Sequence, residues 1–161
     1  MNAFWMAIPH AAPSELIPLD DILTRLLVRL QISHDEALMH FHLAPLSARR
    51  DMALLGIIHR AALRKGPPQL HQFFMRARAF NGHSRTVLDP CVGRPLLIMR
   101  RSIFGLIPFY NNLPEEVIQI QDIAAFQKRL QDMLRKAINE NLPNWHSLFR
   151  SSFCLLFALL R

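Results

Sequence analysis

The sequence predicts an all-α fold, an irregular bundle of about six helices, and three observations carry that expectation. Apolar residues recur at three and four residues in several stretches. Capping residues, prolines and glycines punctuate those stretches. No strand-rich stretch competes with them.

The first helix opens at Pro13-Ser14. Leu19, Ile22, Leu23, Leu26, Leu27 and Leu30 form its apolar stripe, with Asp20 and Asp21 in the first turn, where the helix dipole favours acids. Ser33 with Glu36 is a capping box for a short helix to about His42, and Pro45 closes that unit. Ser47 is read as the cap of the most regular helix, Ala48 to Lys65, which Gly66-Pro67-Pro68 stops. A short apolar helix follows over 69–76. Asn81-Gly82, Asp89-Pro90 and Gly93 mark 77–100 as a long loop, with room for a brief strand at 96–99. Residues 102–112 suit a helix despite Gly105 and Pro108. Leu113-Pro114-Glu115-Glu116 suits another helix start. Asp122 caps the last one, with Ile123, Phe126, Leu130, Met133 and Ala137 on one face. Residues 1–149 read as one helical region and 150–161 as a separate apolar tail.

A chain of 161 residues is long enough to bury a core without staples. Two cysteines without a spacing pattern suit an intracellular protein, in cytoplasm or nucleus, rather than a disulfide scaffold. The N-terminus lacks the basic leader and apolar core of a signal peptide. The longest apolar run, Phe153 to Leu160, is far short of the ~20 residues that cross a bilayer, so no membrane role is expected. The net charge of +7 is unevenly placed. Residues 1–45 hold two arginines against five acids, residues 46–110 hold eleven Arg or Lys against two, and the remainder is nearly balanced. A concentrated basic segment suggests a polyanionic partner, the backbone of RNA or DNA.

No complete active site is legible, and no cofactor is expected. His40 and His42 are the tightest histidine pair, but residues two apart on a helix point about 200° apart and cannot share a metal. Cys91 has no neighbouring base that would mark a nucleophile. Asp20-Asp21 and Glu115-Glu116 are better explained by helix starts than by catalysis. The sharper signal is in the helix 48–65. Counting from Arg49, Arg60 falls near about 20°, Arg64 near about 60° and Arg50 at about 100° around the axis. Ala53 and Gly56 share that sector, while Met52, Leu55, Ile58 and Ala62 lie opposite. Arg49, Arg50, Arg60 and Arg64 are therefore the candidate phosphate-binding residues. Equally, such a face suits plain solvation or pairing with the acidic first helix. No aromatic ladder interleaves with the charges, so reading of bases is not indicated.

The stretch from His40 to Phe74 resembles the region downstream of the polymerase in non-LTR, LINE-like retrotransposon reverse transcriptases. The matching features are Leu46 with Arg49-Arg50-Asp51, then Leu55-Gly56, His59-Arg60 and the Gly-Pro stop. A second block follows in order. Tyr110-Asn111-Asn112-Leu113-Pro114, then Phe126-Gln127-Lys128 and Leu130, is similar to that family's Trp-Asn-x-Leu-Pro and Phe-Lys-x-x-Leu. The resemblance covers roughly 7–149. Beyond Phe149 the chain departs from the family's Ser-Pro-Arg ending, which suggests a frameshift, read-through or decayed copy.

The family's catalytic aromatic-x-Asp-Asp hairpin is absent, since Tyr110 is followed by two asparagines. The resemblance thus implies a non-catalytic piece that packs on a reverse transcriptase polymerase domain and touches template or target nucleic acid. The competing expectation is a helical protein–protein interaction module, with self-association as one outcome and no nucleic-acid role.

Overall fold

The computed structural model describes residues 13–74, 102–142, 145 and 148–149. These residues form seven α-helices and one 3-10 helix, and no strand is found among them. The expected loop over 77–100, the brief strand at 96–99 and the tail after 149 lie outside the described residues, as do Cys91 and the arginines beyond Lys65 in the basic segment.

Helix α1 spans Pro13–Leu30, α2 His34–Phe41, α3 Leu46–Ala62 and α4 Pro68–His71. A 3-10 turn over Ile103–Leu106 runs into α5, Ile107–Asn111; α6 is Glu115–Ile118 and α7 is Ile123–Asn139. The centre of the assembly is α3, which packs chiefly on α7 and also meets α1, α4, α5 and the 3-10 turn. On α7 the apolar spacing does what the sequence predicts. Phe126, Leu130, Met133 and Ala137 are buried against α3, each large side chain contributing roughly 1.5–3 kcal/mol. Asp122 caps this helix, accepting the N–H groups of Ala124 and Ala125. The Ser33–Glu36 capping box forms reciprocally, at 2.8 and 3.1 Å.

Two helix starts differ from the expectation. Pro18 lies inside α1, so Asp20 is mid-helix rather than in a first turn. Its carboxylate instead accepts the N–H of Leu46 at 2.7 Å and caps α3 from outside. Pro45, not Ser47, occupies the N-cap position of α3 and supplies no side-chain cap. With a cap arriving from another helix, a local one is dispensable.

Most of the apolar stripe of α1 is unused. Of its six residues only Leu27 is buried and Leu23 partly so, whereas Leu19, Ile22, Leu26 and Leu30 stay exposed, Ile22 at 61%; Leu16, outside the stripe, is buried. Ile17 and Val28 are exposed on the outer side of the same helix. This is more large apolar surface than one helix normally leaves in water. No helix of the described residues is long and apolar enough to cross a membrane.

Near the end of the described chain, Trp145 donates its indole N–H to Asp35 of α2 at 2.8 Å. Phe149 meets Phe109 edge to face with ring centroids 5.1 Å apart. Both contacts join residues beyond α7 to the same core.

Candidate nucleic-acid interface

The four arginines do not form one ladder. Arg50 is 3% exposed, and its Nε and Nη2 donate to Asp51 Oδ1 at 3.2 and 3.0 Å in a buried ion pair. Helix geometry does place Arg50 a quarter-turn from Arg60, but α3 is enclosed on more than one side, and that quarter faces protein. A buried guanidinium beside its carboxylate is held by the cost of separating the charges, not offered to a ligand. Arg49 is partly buried, and Arg60 is exposed. Arg64 is exposed too, but α3 ends at Ala62, so Arg64 lies past the helix in a left-handed conformation with φ 57°.

That conformation belongs to a helix-end motif. The N–H of Arg64 bonds to Ala61 O, and that of Lys65 bonds back to Arg60 O, both at 2.9 Å. Arg60, Arg64 and Lys65 are thereby gathered at the C-terminal end of α3, where the helix dipole favours positive charge.

Gly56 also departs from the expected open sector. It is buried under Gln127 of α7; a Cβ at Gly56 would stand 2.7 Å from the Gln127 amide nitrogen. The glycine lets the Gln127 side chain lie across α3. Beside it an open cleft of about 660 Å³ separates the end of α3 from the start of α7, lined by Arg60, Lys65, Gln121, Asp122 and Gln127 with Ile123 and Ala124.

The walls of this cleft are held by a buried histidine. His59 is fully buried, its ring stacked on Phe126 with centroids 3.9 Å apart and planes 9° from parallel. Its Nε2 lies 2.7 Å from the carbonyl oxygen of Ile120. A carbonyl only accepts, so Nε2 carries the proton. In the neutral ring, Nδ1 then accepts the Tyr110 hydroxyl at 2.9 Å. Further along the chain, Lys65 Nζ donates to the carbonyl of Gln121 at 3.0 Å. Two consecutive carbonyls of the segment leading into α7 are thus held by His59 and Lys65.

Neither the burial of His59 nor the roles of Lys65, Gln121 and Gln127 were legible from spacing. The only signal was that His59, Tyr110 and Phe126 all fall in the two blocks singled out in the sequence. Of the other histidines, His42 meets Arg135 and Gln131 of α7, while His40 is exposed. No group of three or more potential metal ligands occurs among the described residues. Compared with protein-family models, with curated proteins and with solved structures, the chain finds no match.

Proposed function

We propose that this chain is a non-catalytic helical module, similar to the region after the polymerase domain of LINE-like reverse transcriptases, that packs on such a domain and makes sequence-independent contacts to the backbone of RNA or DNA. The observation that carries this reading is the convergence of the two resembling blocks. His59 from the first and Tyr110 and Phe126 from the second meet in one buried cluster, and Gly56 of the first meets Gln127 of the second. Residues matched only by their order along the chain therefore have a shared physical task. The same cluster orients the segment that faces Arg60 and Lys65.

Binding of a labelled single-stranded RNA and a DNA duplex across a salt series tests the reading. With Arg60, Arg64 and Lys65 as contacts, log–log slopes of about −2 for the single strand and about −3 for the duplex are expected. Replacing the three with alanine should abolish measurable binding at ~50 mM salt. Affinity that is undetectable at that salt, or unchanged in the triple variant, overturns the nucleic-acid part. Arg50→Ala has no place in this series, because it removes one side of a buried ion pair and tests folding instead.

The exposed apolar residues of α1 favour a second reading, an interaction module with no nucleic-acid role. It requires self-association, or a complex with a polymerase domain, that persists at high salt. A monomer by sedimentation that ignores a polymerase domain would count against it.

A further inference from the structure

Arg60 and Gln127 share an unusual property: each lines the cleft between α3 and α7, and neither side chain makes a hydrogen bond or ion pair with the protein among the contacts of the described residues. Lys65, the second cation, is steadied by Gln121 O and keeps further N–H donors free. At the start of α7 Asp122 directs its carboxylate to Ala124 and Ala125 N–H. The start of α7 is therefore already capped, and its amides are not the binding groups. Each carboxylate oxygen retains acceptor capacity after one such bond. The cleft lining thus combines the cations Arg60 and Lys65, at and just past the end of α3, with the acceptor Asp122 and the amide of Gln127 from α7 and its approach.

We infer that this cleft binds one nucleotide unit of a ribonucleic acid, its phosphate against Arg60 and Lys65 and its ribose hydroxyls toward Asp122. A bare anion would satisfy the cations but face the Asp122 carboxylate without a donor to offer it. A nucleotide carries both an anionic end and a hydroxylic end, and a space of about 660 Å³ falls in the range of small-ligand pockets. The Gln127 amide, with one acceptor and two donors, suits contact to sugar or base without choosing one base. The inference rests on the nucleic-acid reading of the same cations and narrows it from a charged surface to a site that recognises ribose.

Amide NMR of the full chain, titrated with uridine 5′-monophosphate, uridine and inorganic phosphate, tests it. The monophosphate should shift the Gln127 side-chain amide and the Ala124 backbone amide with millimolar affinity, phosphate should bind about fivefold more weakly, and uridine should be silent. Arg60→Gln, at an exposed position, should weaken the monophosphate by about fivefold or more. Asp122→Asn retains a capping side chain and should erase the preference for the monophosphate over phosphate. The inference is overturned if the monophosphate leaves the cleft resonances unmoved, if phosphate equals it in the unaltered chain, or if Arg60→Gln binds it undiminished. A single-stranded RNA titrated into the same sample separates the two claims. RNA that binds while Gln127 stays unmoved overturns the cleft and leaves the backbone reading standing; monophosphate in the cleft without RNA binding overturns both the backbone reading and the ribonucleic-acid occupant.

Discussion

The carboxylate of Asp20 accepts the first backbone N–H of α3, that of Leu46, at 2.7 Å across 26 residues of chain. A helix start that has no side-chain cap of its own is thereby satisfied from α1. Asp20→Ala should cost about 1 kcal/mol, in the range of lost N-caps, while Asp20→Asn should retain most of the stability. Urea unfolding at neutral pH checks both, and equal midpoints for the alanine variant and the parent would show that the bond does not contribute.

Tyr110 and His59 should prove coupled. Tyr110→Phe removes the donor that satisfies Nδ1 of a fully buried ring and is expected to cost about 1–2 kcal/mol. His59→Phe keeps a flat ring on Phe126 but leaves the Ile120 carbonyl without its donor. A double-mutant cycle on the pair should return about 1 kcal/mol of interaction energy. Strict additivity would mean that the hydrogen bond is not formed.

Arg64 should show stability and binding moving in opposite directions. An L-residue at its φ of 57° costs about 1–2 kcal/mol, while a cation at a helix C-terminus returns about 0.3–1 kcal/mol. The strain outweighs the charge, so Arg64→Gly should stabilise the fold by about 0.5–1 kcal/mol. Removing the charge should also flatten the RNA salt slope by about 0.7. Calorimetry and the salt series check the two effects separately; a destabilised glycine variant would contradict the conformation.

Glu36 supplies the pH dependence. The Ser33 backbone N–H, and secondarily the Ser33 side chain, hold its carboxyl below the ordinary value of 4.5. A lowered folded value means that the contribution of the capping box is fully present above 4.5 and is lost as pH falls through the folded midpoint. NMR titration of the Glu36 carboxyl should show the depressed midpoint. Ser33→Ala should restore it only in part, because the larger cause is a backbone group that alanine keeps. Full restoration would assign the effect to the hydroxyl instead.

How much of this was legible depended on how local the cause was. The buried face of α7, its Asp122 cap and the Ser33–Glu36 box are set within a few residues, and the sequence pattern predicts each of them. The fate of Arg50 was not legible, because helical angles give direction and not what lies in that direction. Gly56 reads as part of an open face for the same reason; only the approach of α7 explains it. Helix ends are hard to place because glycine is the usual marker of the left-handed cap. Here Gln31, His42, Arg64 and Asn141 take that role, with φ between 54° and 58°. Each is followed by a bond back into the helix, from Ile32, Lys65 and Leu142 to the carbonyl five residues earlier and from Leu43 to the one six earlier. The cleft was invisible because its walls come from distant segments, Lys65 and Gln121 being 56 residues apart.

The two carbonyls held by His59 and Lys65 have a consequence for how the molecule opens. Detaching α7 from α3 must break both hydrogen bonds and separate the His59–Phe126 stack in the same event, so no partial peeling of that seam is cheap. The helices α3, α5 and α7 should then exchange their amide hydrogens as one cooperative unit. With much of its apolar surface in water and few buried anchors, α1 has less to lose and should exchange earlier. The chain would thus behave as a rigid clasp carrying a detachable arm, and the arm is the helix whose apolar side lacks a cover.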